Sequence, residues 1–342
     1  MKKVLVTISL FLTVFLVSCG RNDVDTLTYA VFPYMPDAEY YQELIEQRWA
    51  EIEPDIKLVR AEWNCYEDSA PEGVDVIMYD TVTRDALIEN GWIQSIDQNA
   101  VQEAEDILPF ALEGLTVDGK LYGIPVLLCG NFLIYDQDYG DLAEAEHLTD
   151  LAPESDILVI NTQFSMNRAQ YIHEVLADTL REANPSTGSD ADDLMGLVDQ
   201  LAIDAHEQDD DIQVALAYDS GIGKGYIGFS ESIRLLQNRI SRTGIKSISF
   251  SDQDDLPRMY VDAVAVNSKV KGQRYQKCIE LMNVIAEADV LSSLSVQNGV
   301  PQYLLLARKS PYEMLGESFP IYRQLEKLAF NENNQVILGP RP

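Results

Sequence analysis

Leu121-Tyr122-Gly123-Ile124-Pro125-Val126-Leu127-Leu128-Cys129-Gly130-Asn131-Phe132-Leu133-Ile134-Tyr135 reads as a turn, a buried apolar strand, a cysteine with small and polar neighbours, and a second apolar strand. Tyr122 to Pro125 has turn chemistry, because glycine tolerates positive φ and proline fixes the entry to the next segment. Val126, Leu127 and Leu128 lack polar alternation, as in a strand covered on both faces. In open α/β sheets, ligands bind outside the carboxyl ends of strands. Cys129 stands at such an end, so its thiol is expected to face a crevice.

Outward from this stretch, strands alternate with helices. Leu27 to Phe32 reads as a strand, ending at Pro33-Tyr34-Met35-Pro36, and Asp37 can cap a helix running to about Glu53. Ile56–Arg60 and Val74–Asp80 read as strands, and Arg84–Asn90 as a helix. Beyond Tyr135 come a strand at Ile157–Asn161, a helix at Gln170–Asn184, a surface loop at Asn184–Asp193 and a helix at Ile233–Arg239. Val261–Asn267 is another buried strand, followed by helices at Gly272–Ala288 and Tyr322–Ala329. Such alternation argues for an α/β fold with mostly parallel sheets. Gly221 to Gly228 carries four glycines but lacks the Lys-Ser/Thr ending of a Walker motif. The order of segments suggests one domain interrupted by another, with crossings at Leu121–Tyr135 and Tyr260–Asn267. Lobe 1 is then 27–134 with 261–342, and lobe 2 is 135–260. This layout resembles the type II periplasmic solute-binding fold, a two-lobed clamp.

A chain of 342 residues with 46% hydrophobic residues has material for two domains with real cores. Its 56 acids against 25 bases leave a net charge of −31, which repels phosphate backbones and disfavours nucleic acid as a partner. The acidity serves solubility or draws a cationic small molecule to the cleft. Met1-Lys2-Lys3 followed by the apolar run Val4–Val17 reads as an export signal, too short to span a membrane comfortably. Leu16-Val17-Ser18-Cys19-Gly20 resembles a bacterial lipoprotein box. That resemblance implies a signal peptide over 1–18, lipidation of Cys19 and a linker over 19–26. The mature chain is then an exported lipoprotein tethered on the extracytoplasmic side. Of the remaining cysteines, Cys278 lies on the apolar face of a helix, and Cys65 sits in a polar loop with no strong claim. Three histidines, with no Cys or His pairs at ligand spacing, argue against a zinc site. The Asp209–Asp211 run is a solvated loop, or a Ca²⁺ site.

Several segments narrow the reading. Leu108-Pro109-Phe110-Ala111-Leu112-Glu113-Gly114, Tyr122 to Asn131, Ile227-Gly228-Phe229-Ser230-Glu231-Ser232, Tyr260 to Ser268 and Pro301-Gln302-Tyr303-Leu304-Leu305 stand in order along the chain. Phe32 to Asp37, Trp63 to Tyr66 and Asp75 to Asp80 match more weakly. The ordered set is similar to the thiaminase I family (thiamine pyridinylases), whereas residues 140–215 carry little resemblance. The resemblance implies a binding-protein clamp turned enzyme, without a cofactor and as a monomer. Its reaction displaces the thiazolium of thiamine by an amine or thiol, through a cysteine adduct on the pyrimidine. The family's nucleophile falls on Cys129 and its activating glutamate on Glu231.

The residues make chemical sense of those roles. A thiol with a pKa of about 8.5 is mostly protonated at neutral pH and needs a base. A glutamate desolvated in a cleft has a raised pKa and can accept that proton and return it. Glu231 belongs to lobe 2 and Cys129 to the crossing, so they meet when the clamp closes. Each also has an ordinary reading, as a packing thiol and as a first-turn acid. Asp262, an acid in an apolar strand, needs a partner such as an aminopyrimidine. Asp80 either serves likewise or caps the segment that follows it. Tyr34, Tyr66 and Tyr226 could stack on cationic rings or pack their loops. Asn131 joins them as a substrate-binding candidate, as does Phe229, where thiaminases commonly have tyrosine. That change keeps stacking and loses a hydroxyl. The alternative is a solute-binding lipoprotein of an importer for thiamine or a related pyrimidine, without catalysis. A carbohydrate binder would want more cleft tryptophans than Trp49, Trp63 and Trp92 supply.

Overall fold

The computed structural model describes residues 24–161, 196–203, 211–247 and 257–339. The signal segment with Cys19, the helix expected at 170–184, the loop at 184–193 and Asp209–Asp210 lie outside the described residues. Among the described residues there are sixteen strands, and two of the sheets carry the architecture.

The larger sheet contains β1 (Thr26–Ala30), β2 (Lys57–Arg60), β3 (Val76–Asp80), β4 (Ile93–Gln94), β7 (Ile124–Cys129), β12 (Arg258–Asn267), β15 (Leu305–Leu306) and β16 (Gln335–Val336). Its order is β15-β7-β12-β3-β1-β2, with β4 and β16 also pairing to β12. The smaller sheet runs β11-β8-β10-β9, from Thr243–Lys246, Phe132–Asp136, Gly225–Gly228 and Leu158–Ile160. Two hairpins, β5/β6 (Thr116–Val117, Lys120–Leu121) and β13/β14 (Val296–Gln297, Val300–Pro301), complete the set.

Both sheets are mixed, where the sequence reading expects mostly parallel ones. β1 pairs β2 and β3 in parallel, but β12 is antiparallel to β3 and to β7. The reason is topological. β7 leaves the larger sheet at Cys129, and β12 re-enters beside it at Tyr260, so the two must run in opposite senses. In the smaller sheet β10 is parallel to β9 and antiparallel to β8. The boundaries at 134/135 and 260/261 fall inside β8 and β12. Each of those strands lies whole in one sheet, and only Gly130 and Asn131 separate β7 from β8.

Local chemistry explains several elements around the larger sheet. The helix Ala38–Ile52 starts at Asp37, whose carboxylate accepts from the Tyr40 amide at 3.2 Å. Its buried residues Tyr41, Ile45 and Trp49 recur every four positions, one stripe against the sheet. Cys278 is buried in the helix Gly272–Ile285. The helix expected to reach Ala288 ends at Ile285, and a second runs from Ala288 to Leu294. Gly123 is not among the glycines at positive φ. It is glycine because a Cβ would stand 2.8 Å from the Val264 carbonyl oxygen of the crossing strand. Pro125, with no N–H to give, lies at the irregularity where the β7–β12 register shifts between Asp262 and Ala263.

Candidate active site

β7 delivers Cys129 to the end of the larger sheet, half-buried and opposite Tyr260 on β12. Two residues further along β12, Asp262 stands opposite Leu127 on one side and Asp80 on the other. Side chains alternate between the faces of a strand, and directly opposed residues share a face. Cys129, Tyr260, Asp262 and Asp80 therefore lie on one face, at one end of the sheet. Cys65, Cys129 and Cys278 are all thiols rather than disulfides.

Asp80 and Asp262 are 2% and 7% exposed, directly opposed and of like charge. Burial pushes the Asp80 carboxyl up to about 6, although Tyr66 Oη donates to it at 2.6 Å and the Val82 amide at 2.9 Å. It thus caps the turn Thr81–Thr83, one of the two roles left open by the sequence, and also accepts from a rim tyrosine. Burial raises Asp262 well above the usual carboxylate range, and the charges of Asp80 and Glu231 raise it further. Burial also raises the Cys65 thiol, to about 12. The influence of Glu231 on Asp262 puts that glutamate within electrostatic reach of the β12 face that Cys129 shares. Among the described residues, no group of three or more His, Cys, Asp or Glu could hold a metal ion.

The acid pair makes a pH prediction. Unfolded, each aspartate titrates near 3.9, whereas the folded values are higher, so the native state holds extra protons above about pH 4, up to about 6 for Asp80 and further for Asp262. The pair's contribution to stability therefore falls as pH rises through that window. Asp262→Asn should raise the melting temperature by about 2–4 °C at pH 7.5, for a relief of about 1 kcal/mol. The gain should vanish below about pH 4, where both carboxyls are neutral. Thermal melts from pH 3.5 to 8 check this, and a gain independent of pH would contradict it.

Glu231 is half-buried on a 3-10 turn, Ser230–Leu235, that follows β10 directly. The sequence reading expects an α-helix over Ile233–Arg239. Instead Asp219 draws the chain round: its carboxylate accepts from the amides of Gln237, Asn238 and Arg239 at 3.1, 2.9 and 3.0 Å. Ser232 Oγ donates to the Phe229 carbonyl at 2.6 Å, which uses its one proton, so Tyr226 Oη donates to Ser232 at 2.9 Å. Tyr226 is therefore a core residue beneath the turn, 0% exposed, with its ring 5.2 Å from that of Tyr218. It sits in the middle of the smaller sheet and presents no ring face to solvent, so its place is that of a packing residue rather than a stacking surface. Phe229 is half-buried at the start of the same turn, and Asn131 is buried just past Cys129.

Tyr34 and Tyr66 are 61% and 38% exposed, with ring centroids 6.1 Å apart. Both pack edge-on against Phe32, at 5.6 and 5.7 Å, so three rings form a rim that Tyr66 ties to Asp80. Phe32 and Tyr260 were not singled out from the sequence. The alternation of Tyr260 with Asp262 along β12 is the signal that could have found the second. Trp49 and Trp63 are buried.

No family model matches the chain. Thiaminase-1 of Paenibacillus thiaminolyticus is 29% identical over 345 residues, covering 92% of this chain and 84% of the relative. Clostridium botulinum thiaminase I in complex with thiamin superposes with a TM-score of 0.85 at 28% identity, covering 92% of this chain and 94% of that one. Maltose-bound MalE3 of T. maritima superposes with a TM-score of 0.69 at 12% identity, covering 93% and 90%, a likeness of fold alone. The chain has the two-lobed type II periplasmic-binding-protein fold and is a homologue of thiaminase I.

Proposed function

We propose that this homologue of thiaminase I cleaves thiamine, exchanging its thiazolium for an amine or a thiol, with Cys129 as nucleophile and Glu231 as base. Glu231 takes the thiol proton, and Sγ adds to C6 of the aminopyrimidine. The electron pair of the methylene–nitrogen bond leaves with the thiazole, which departs uncharged. An incoming amine or thiol then bonds to the methylene carbon and gives up its proton to solvent, the Sγ–C6 bond breaks, and the proton held by Glu231 returns to sulfur. Asp262, held protonated, can donate to a ring nitrogen while Asp80 accepts from the exocyclic amine. Tyr34 and Tyr66 at the rim, with Phe229 and Asn131 deeper in, complete the binding surface. The protein acts as a monomer, anchored to the membrane through lipid on Cys19.

The observation that carries this reading is that Asp262 feels the charge of Glu231 and lies on the strand paired with Cys129. Both support a carboxylate from the turn after β10 and a thiol from the end of β7 acting on one bound ring. Incubating the protein with thiamine and aniline should yield the anilino-pyrimidine and released thiazole by mass spectrometry. Thiamine recovered bound but intact would favour the importer's solute-binding protein instead.

A further inference from the structure

Resting on that reading, we infer that Arg234 and Gln302 form a positioning pair that locks the Glu231 turn over the Cys129 strand. Arg234 Nη1 donates to Gln302 Oε1 at 3.2 Å across 68 residues of sequence. On the Arg234 side, the chain from Ser230 to Leu235 is a 3-10 turn, where residues three apart eclipse one another. Glu231 and Arg234 therefore stand on one side of that turn, one step apart. On the Gln302 side, the next strand is β15, whose Leu305 pairs with Leu128, the neighbour of Cys129. A single side-chain bond thus joins the element holding the base to an element flanking the nucleophile's strand.

Gln302 is built to hold its amide still. It is 6% exposed, its backbone N–H donates to the Ser295 carbonyl at 2.9 Å, and its Nε2 donates to the Val300 carbonyl at 3.0 Å. With the amide nitrogen occupied, Oε1 is the atom left facing Arg234. The next residue, Tyr303, adopts φ 54, a left-handed conformation costly for a bulky residue, and its ring stacks on Tyr322 at 5.7 Å. The backbone is thus bent at the point that aims Gln302. Ser232 and Tyr226 fix the internal shape of the Glu231 turn, while Arg234 and Gln302 fix its placement relative to the larger sheet. Proton transfer from sulfur needs that placement, because an error near 1 Å can cost about a hundredfold in rate.

Gln302→Met keeps the shape and removes the acceptor, whereas Gln302→Glu keeps an acceptor oxygen. We expect Gln302→Met to lower kcat roughly 10-fold with KM for thiamine within about threefold, and Gln302→Glu to retain most of kcat. In the double variant with Arg234→Ala the losses should not add. Equal behaviour of the Met and Glu variants, or additive losses, overturns the pair. A second readout does not depend on thiamine: the rate of Cys129 alkylation by iodoacetamide against pH, followed at that peptide by mass spectrometry. Gln302→Met should move this profile toward that of Glu231→Gln and of an ordinary thiol, near pH 8.5. Tyr260, Asp262, Asp80, Tyr66 and Cys65, the other titratable groups around the face, stay unchanged in these variants, so the movement reports Glu231. An unmoved profile overturns the inference even if thiamine is cleaved. Failure of wild type to cleave thiamine, with the profile moving as expected, would remove the substrate assignment and leave the pair standing.

Discussion

Cys129→Ser is expected to lower the rate of thiamine exchange by roughly a thousandfold or more while thiamine still binds. A serine hydroxyl is far harder to deprotonate than a thiol, so the same base leaves almost no nucleophile, yet the side chain fills nearly the same space. Binding should survive because the groups argued to hold the pyrimidine, Asp80 and Asp262, belong to β3 and β12 rather than to β7. Intact mass spectrometry sharpens the test. Wild type given thiamine without an acceptor should accumulate a pyrimidine adduct on the peptide containing Cys129. Cys278→Ala, at a fully buried position in a helix, should cost stability and leave exchange intact. An adduct that persists in Cys129→Ser would refute the nucleophile.

Glu231→Gln should be nearly as damaging, lowering kcat by about 10²- to 10⁴-fold with little change in KM. The amide fills the same volume but cannot take a proton from sulfur. The variant should leave a second mark, because the charge of Glu231 is one of the causes that keep the proton on Asp262. Removing that charge lets Asp262 ionise at lower pH, so thiamine affinity should acquire a different pH dependence in Glu231→Gln and keep the wild-type one in Cys129→Ser. Calorimetric titration of both variants between pH 5 and 8 separates the two effects. Exchange retained within about threefold in Glu231→Gln would leave the base unassigned.

Much of this arrangement could be read from local pattern. An apolar run ending in Cys-Gly-Asn announces a buried strand that stops at a crevice, and the structure ends β7 at Cys129. Asp262 stood out as an acid within six apolar neighbours, and its burial beside Asp80 is the cost that the pattern implies. Strand direction was not legible, since a buried strand is equally apolar whichever way its neighbours run. The helix expected at Ile233–Arg239 failed for a non-local reason. Asp219 captures three amides that an α-helix would have used, and nothing within the segment itself records that. Tyr226, left open between stacking and packing by the sequence, lies in a strand that begins and ends in glycine. Those glycines permit close packing, as at Gly225, where a Cβ would approach the Ile134 carbonyl oxygen to 2.9 Å. The Arg234–Gln302 bond joins residues too far apart for any periodicity to connect.

The two-residue link between β7 and β8 has a consequence for how the chemistry is timed. A rotation of the smaller sheet against the larger one would bend the chain at Gly130–Asn131, immediately beside the sulfur. An atom next to an axle barely travels, while Glu231, out on the swinging body, travels far. On the proposed roles, opening would withdraw Glu231 from the thiol and leave the sulfur where it was. A stray electrophile or oxidant entering the open jaws would then meet a sulfur parted from its proposed base.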